Sequence, residues 1–468
     1  MSRGKELAKN TIIITIGKIS TQFVSFLLLP LYTSFLSTKE YGTVDLLTTY
    51  VQLLLPVVTL LVEQGAFRYL IDYNDNEEEK KKIISSSGFI IIIQCILYAI
   101  LFICLAKFIK NDYKYYILLI LIVSSFSSWG LQLTRGFRKL TLYAIGSFIT
   151  VSTTIAFNIV FIAVLKMGAI GMLVSTIIGN LVCVVFIFVS LRIDKYFDIK
   201  LINKSSIENM LRYSIPLIPN QLSLWIINSS DRTIVTLFLG AASNGILAIS
   251  HKFSAIYQTI FGMFQLSWHE MGAVHFNDSD RDEFFTDTFN EVYKFFSSMC
   301  IGLIAVLPFV FPLLINETYY DAYYTIPLYL LAVLCNIVVG LLGVVYVALK
   351  KTAEITKSTI YSAIINIVVH VVLIELFGLF AAAISTFTGY FSILVYRIID
   401  TKKYINIRYN YKYFIGSTVV ILILLVPYYL DLFIIRVIGV IFAVAFALFA
   451  NRKMLFAIRE DMLKKLNR

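Results

Sequence analysis

Runs of about twenty apolar residues, separated by short polar gaps, recur from one end of the chain to the other. A helix needs roughly 20 such residues to cross the hydrocarbon core, because in lipid its backbone satisfies its hydrogen bonds only internally. Windows of that length predict fourteen spans. The first six cover Thr11–Phe35, Thr43–Ile71, Ile83–Phe108, Tyr113–Gly136, Leu140–Leu165 and Gly168–Leu191. The next six cover Met210–Leu239, Asn244–Val274, Thr288–Ile315, Ala322–Leu349, Ile355–Phe377 and Leu379–Ile399. Two shorter ones, Tyr413–Leu430 and Leu432–Ala450, are separated only by Asp431. The expected class is all-α, a polytopic membrane protein with about 14 transmembrane helices.

Polar residues inside these runs keep to stripes. In the first span Thr11, Thr15, Lys18, Gln22 and Ser25 fall at helical spacing on one face. The second carries Asp45, Thr49, Gln52, Pro56, Thr59 and Glu63 in the same way, with Arg68 near its end. The seventh holds Asn220, Gln221, Ser223, Asn228, Ser230, Asp231 and Arg232, and the eighth His251, Lys252, Ser254, Gln258, Gln265, His269 and Glu270. A charge at mid-membrane costs about 2.5–3.5 kcal/mol even on a lenient scale, so such residues face protein or water. Individual Ser, Thr and Asn residues read best as links between helices. The cations Lys18, Arg68, Arg232 and Lys252 read as the lining of a wet cavity. Fixed cations at low dielectric suit an anionic ligand such as a phosphate. The acids Asp45, Glu63 and Asp231 suit a coupling cation or proton.

Composition agrees with the pattern. The 468 residues are 59% hydrophobic and 15% charged, against about 25% charged in soluble domains. The net charge of +11 invites a nucleic-acid reading, but a chain this apolar offers no solvated basic face. The positive charge instead records topology: 29 Lys and Arg lie at the N-terminus, in even-numbered gaps and in the C-terminal tail, and 5 in odd-numbered gaps. That bias places both termini in the cytoplasm. The apolar stretch after Met1–Lys9 is too long for a cleavable signal. Five isolated cysteines and four histidines form no metal spacing, and there is no phosphate-binding loop, so neither metal nor cofactor is expected.

The two halves resemble each other. At an offset of 203, Gly42 falls on Gly245 and Asn74–Asp75 on Asn277–Asp278. Gly168…Ser175-Thr176-x-x-Gly179 in the sixth span repeats as Gly378…Ser385-Thr386-x-x-Gly389 in the twelfth, each preceded by Asn-Ile-Val. Internal repeats of this kind mark transporter architecture. The expected organisation is a six-helix lobe over 1–203, a second pseudo-symmetric one over 204–403, a central cavity, and an appendage over 404–468 of two more helices and a basic tail.

Two segments carry a family resemblance. KNTIIITIGKISTQFVSFLLLPLYTSFLSTKEYGTVDL and LRYSIPLIPNQLSLWIINSSDRTIVTLFLGAASNGILAIS resemble the polysaccharide-transporter flippases of the multidrug/oligosaccharidyl-lipid/polysaccharide (MOP) exporter superfamily, the Wzx-type O-antigen and capsule repeat-unit flippases above all. The resemblance covers essentially the whole chain. It implies two lobes around a cationic cavity that moves undecaprenyl-pyrophosphate-linked glycan from the inner to the outer leaflet of the bacterial plasma membrane by alternating access. It points to Lys18, Arg68, Lys252 and His251 for the pyrophosphate, and to Asp231 and Asn366 for a sodium site. No acid follows Asn366 within one helical turn, so that last match is partial.

The resulting expectation is a flippase, not an enzyme. Its substrate-binding residues would be Lys18, Gln22, Gln52, Arg68, Arg232, His251, Lys252 and Gln258, and its ion-coupling residues Asp45, Glu63, Asp231 and Asn366. Its partners would be a polyprenyl-pyrophosphate-linked glycan, the lipid bilayer, a proton or sodium ion, and the polymerase and glycosyltransferases of surface polysaccharide synthesis, with no nucleic acid. The alternatives are a multidrug cation antiporter with an acidic, aromatic pocket, a lipid II-type flippase, and a membrane glycosyl polymerase, which normally needs a larger external loop.

Overall fold

The computed structural model describes residues 26–73, 76–109, 111–349, 351–430, 432–452 and 454–456, and among these it is helical with no β-strand. The chain divides into two compact units, Met1–Gly245 and Ile246–Arg468.

The first unit contains α1 (Leu29–Phe35), α2 (Thr38–Val58), α3 (Val62–Asp72), α4 (Glu77–Leu105), α5 (Lys114–Gly136), α6 (Leu140–Asn158, continued by a π-helical turn Ile159–Val164), α7 (Gly168–Leu191), α8 (Lys204–Ser214) and α9 (Ile218–Leu239). Polar caps set where several of them begin. Ser37 and Glu40 form a reciprocal capping box on α2, Asn76 caps α4, and Asn203 caps α8. One apolar group joins Val62, Ala66 and Leu70 of α3 to Ile84, Trp129, Leu133 and Ile187. A second joins Val44, Leu47 and Val51 of α2 to Leu121 and Leu173. The buried indole of Trp129 donates to Ser87 Oγ at 3.0 Å, which satisfies the ring's one polar atom.

The second unit is built on α10 (Ala241–Val274, entered at Ile246), α11 (Arg281–Leu314), α12 (Asp321–Ala348), α13 (Thr352–Phe377), α14 (Leu379–Thr401), α15 (Tyr411–Tyr429) and α16 (Phe433–Ala450). Helix α12 is its centre, and Ile337, Leu342, Val344 and Val345 are wholly buried. Tyr257 Oη donates to Phe296 O at 2.7 Å and Trp268 Nε1 to Leu341 O at 3.1 Å, tying α10 to α11 and α12. Aromatic contacts hold the C-terminal helices. Tyr293 stacks on Phe414 with centroids 3.7 Å apart. Tyr323 and Tyr428 stack at 4.3 Å while each hydroxyl donates to the other residue's carbonyl at 2.7 Å.

The repeated small residues do the same work in each unit. Gly168 and Gly378 start α7 and α14 with φ of +58° and +54°, a conformation that disfavours any residue with a Cβ. A Cβ on Gly179 would collide with Thr154 and the Thr150 carbonyl of α6. Gly389 packs against Ser362 and Asn366 of α13, and Ser362 Oγ donates to its carbonyl at 2.8 Å.

Eleven described helices have the length and apolarity to cross a membrane. The helices at the seventh and eighth predicted spans, of 22 and 34 residues, have the length, but polar stripes lower their hydropathy. Most of the first predicted span lies outside the described residues. Three details depart from the sequence reading. The second span is two helices, interrupted at 59–61. The seventh begins as α8 and restarts at α9 after a 3₁₀ turn, Ile215–Leu217, within Ile-Pro-Leu-Ile-Pro. Arg397, one of the 29 cations assigned to cytoplasmic segments although it falls at the end of the twelfth predicted span, lies inside α14 at 5% exposure, its guanidinium donating to the Val339 carbonyl at 2.9 Å.

Candidate functional site

The interruption of the second span builds the site. Pro56 has no amide hydrogen to give to the Gln52 carbonyl one turn earlier, which weakens the end of α2. Leu60 and Leu61 then both take left-handed backbone, φ +52° and +50°. For residues with a Cβ this costs on the order of 1–2 kcal/mol each, so the surrounding packing must hold it. The Thr59 hydroxyl stitches the break: it accepts from Leu61 N–H at 3.2 Å and lies 3.0 Å from the Leu55 carbonyl. Helix α3 starts afresh at Val62, which sets Glu63 and Gln64 in its first turn.

Beside this break, within the first unit, is a cavity of about 370 Å³. Gln52, Leu55 and Pro56 come from α2, Leu61 from the break, and Glu63 and Gln64 from α3. Ser128 of α5 and Gln221, Trp225, Asn228 and Ser229 of α9 complete it. Its volume suits a small ligand or one or two sugar rings. The Trp225 indole is fixed: Nε1 donates to the Thr49 carbonyl at 2.9 Å, and the ring stacks on Tyr50 at 6.4 Å. Glu63 is 2% exposed, and its Oε1 lies 3.4 Å from the Thr59 hydroxyl. Its Oε2 has no hydrogen-bond partner among the described residues.

Next to the cavity, carried by α2 and α9, is a charge cluster. Arg232 Nε donates to Asp45 Oδ2 at 2.9 Å, with both side chains about one-sixth exposed. Asp231 Oδ1 lies 3.8 Å from Arg232 Nη1, which also donates to the Asn228 carbonyl at 3.2 Å. Asn244 Nδ2 donates to the Gly42 carbonyl at 2.8 Å, 3.5 Å from Asp45 Oδ2. Gly42 and Gly245 permit this approach, since a Cβ on either would run into backbone: the Ala241 carbonyl for Gly42 and the Thr38 carbonyl for Gly245.

The structure therefore groups the sequence candidates selectively. Gln52 and Glu63 share the cavity, and Asp45, Asp231 and Arg232 share the cluster beside it. Arg68 is half-exposed and paired with Asp72 on α3. In the second unit the His251 ring lies 4.6 Å from that of Tyr329, with Lys252 next to it in sequence and partly buried. Gln258 Oε1 accepts from Asn336 at 3.0 Å, and Asn366 is buried beside Gly389. Lys18 and Gln22 lie outside the described residues. Among the described residues no lysine, arginine or histidine lines the cavity. Trp225, Ser229, Gln64 and Ser128 had not been singled out in the sequence. A lone tryptophan within the polar seventh span is the signal that marks this group.

Comparison with known proteins gives the family and the fold. The profile of the family described as "Polysaccharide biosynthesis protein" matches residues 7–268, more than half of the chain. The chain belongs to this family. No curated protein matches its sequence. Among solved structures, the lipid II flippase MurJ in an inward closed conformation aligns with a TM-score of 0.69 at 17% identity, covering 96% of this chain and 100% of that one. An inward-facing multidrug resistance MATE family transporter of the MOP superfamily aligns at 0.68 and 11%, covering 83% and 98%. A MOP superfamily transporter from Pyrococcus furiosus, described as having a binding pocket of reversed polarity, aligns at 0.58 and 13%, covering 84% and 95%. The family member thus has the MOP transporter fold.

Proposed function

We propose that the protein is a flippase that carries a polyprenyl-pyrophosphate-linked oligosaccharide from the cytoplasmic to the outer leaflet of a bacterial plasma membrane, by alternating access, for surface polysaccharide synthesis. The observation that carries this reading is the cavity: a fixed indole, amides and hydroxyls line one space within the first unit. An aromatic face receives the C–H side of a pyranose ring, and Gln, Asn and Ser groups meet its hydroxyls. Membership in a polysaccharide biosynthesis family agrees with it.

In this proposal the cations bind the pyrophosphate outside the sugar cavity. Arg232 would exchange the Asp45 carboxylate for a phosphate oxygen, one charge-assisted bond for another, so ligand arrival and loss of the helix-to-helix link are the same event. Lys18, Arg68, His251 and Lys252 are the further anion ligands, with Gln22 and Gln258 as polar contacts. The coupling ion, proton or sodium, falls to Asp45, Glu63 and Asp231 in the first unit and to Asn366 in the second. The test is depletion of the protein in its host. Lipid-linked glycan should accumulate on the cytoplasmic leaflet, and wild-type protein but not Trp225→Ala should restore surface polysaccharide. Restoration by Trp225→Ala at wild-type level would remove the cavity from the proposal.

A second reading has one observation in its favour. The ionisable group lining the cavity among the described residues is an acid beside an indole, which suits an organic cation. That antiporter would expel ethidium from proteoliposomes against an imposed proton or sodium gradient. A flippase of lipid-linked glycan would not.

A further inference from the structure

The run Ser85-Ser86-Ser87-Gly88 on α4 takes no part in the cavity, yet its three serines are wholly buried. Each has a fixed task. Ser85 Oγ accepts from the Asp198 N–H at 2.9 Å and donates to the Tyr196 carbonyl at 3.1 Å, which holds Phe197 between them. Ser86 Oγ accepts from the Asn203 N–H at 3.0 Å, and Ser87 Oγ accepts from the Trp129 indole. The segment between α7 and α8 is thereby fastened to α4. Gly88 lets two rings lie on the helix backbone, since an added Cβ would come within 2.9 Å of Phe197 and 3.1 Å of Trp129. These contacts build a second hollow in the first unit, a groove of about 460 Å³. Its walls are Ile92 of α4, Phe126 and Trp129 of α5, Phe188 and Val189 of α7, and Phe197.

We propose that this groove holds one acyl chain of a phospholipid from the surrounding bilayer, whose phosphate is bound by Arg192 and Lys195. Three observations carry it. The outer lips of the groove, Ile92 and Val189, continue exposed apolar stripes: Ile96, Ile100 and Ile103 on α4, and Val182 and Val185 on α7. Such a face marks contact with a membrane, so the groove opens where hydrocarbon chains are the solvent. At one end the 3₁₀ turn Ile193–Lys195 closes the groove, with Lys195 N–H donating to the Arg192 carbonyl at 2.9 Å. That bond brings the exposed Arg192 and Lys195 side by side, and the turn keeps a net positive charge although Asp194 lies within it. Basic groups beside a pocket between membrane helices hold anionic headgroups. Finally, α5 stands between the groove and the cavity. Phe126 and Trp129, three residues apart, share the face that walls the groove, whereas Ser128 lines the cavity from a different face. A chain tethered to a ligand in the cavity would have to cross α5, so the occupant is a resident lipid that braces this helix, whatever the cavity carries.

The test titrates delipidated full-length protein in detergent with dioleoylphosphatidylglycerol, with dioleoylglycerol, which lacks the phosphate, and with geranylgeranyl pyrophosphate. Bound molecules are read by native mass spectrometry, and the unfolding midpoint checks that each variant is folded. Wild type should retain one phosphatidylglycerol at least about tenfold more tightly than dioleoylglycerol. Arg192→Gln combined with Lys195→Gln should weaken that binding by about tenfold or more, at roughly fivefold for each cation. Ile92→Trp and Val189→Trp, at the exposed lips, fill the groove without crowding the core, and each should lower the affinity at least about tenfold. Val419→Trp, exposed on α15, should leave it unchanged. Unchanged affinity in the double cation variant, or in both groove-filling variants, overturns the proposal, and so does the lack of a saturable lipid site in folded wild type. Displacement of phosphatidylglycerol by an equal amount of geranylgeranyl pyrophosphate would give the groove to a prenyl chain and overturn the assignment to a resident phospholipid.

Discussion

Arg232 and Asp45 lie 187 residues apart, and their bond joins α9 to α2. Removing one member of a buried ion pair typically costs about 3–5 kcal/mol, because the remaining charge stays uncompensated. Here the two side chains are 16% and 17% exposed, which lowers the expectation to about 2–3 kcal/mol for Arg232→Gln. Asp45→Asn should cost about 1 kcal/mol less, since Arg232 retains the Asp231 carboxylate at 3.8 Å and the Asn228 carbonyl at 3.2 Å. The double variant should be no worse than Arg232→Gln alone, because Asp45→Asn removes the carboxylate that the first change left without its cation. That is a coupling of at least about 1 kcal/mol. Unfolding midpoints of the four purified proteins, measured in one detergent, give the cycle. At roughly 2–4 °C per kcal/mol for a unit of this size, the ranking is resolvable. If the double variant loses the sum of the two single losses, the pair is not coupled, and its proposed exchange with a pyrophosphate loses its basis.

Further predictions follow from individual contacts. Gly42→Ala and Gly245→Ala drive a Cβ into backbone carbonyls and should each destabilise by about 2 kcal/mol or more in thermal unfolding. Gly302→Ala, in a helix with nothing within 4 Å of the added carbon, should be neutral or stabilising by up to about 1 kcal/mol, which makes it the internal control. Trp225→Phe keeps a ring but loses the bond to the Thr49 carbonyl, so stability should fall by about 1 kcal/mol and glycan export should fall in part, against complete loss of export in Trp225→Ala. Tyr323→Phe and Tyr428→Phe each remove one of two reciprocal 2.7 Å bonds and should cost about 1 kcal/mol apiece, with equal midpoint shifts.

The sequence by itself determined that the chain is built from helices of membrane-spanning length, and the stripes told which of them carry polar residues. The hydrocarbon core demands about twenty apolar residues in a row, and a helix maps spacing directly onto a face. Gln52, Glu63, Asp45 and Arg232 were all legible as members of those stripes, and the repeated Gly168 and Gly378 take left-handed backbone where α7 and α14 begin. Tertiary structure alone decided how these residues combine. Leu60 and Leu61 are ordinary helix formers, and Pro56 marks only a weak point, so nothing local dictates a break at 59–61. Packing imposes it, and the break brings Glu63 to the cavity. Arg397 reads as a loop cation because it lies near a run of charges, yet the Val339 carbonyl and the Ser358 hydroxyl, from two other helices, receive it in the interior. The pairing of Asp45 with Arg232 moved a predicted anion ligand into an ion pair. Spacing along one helix specifies a face, but the partner on that face comes from another helix, and only the folded chain selects it.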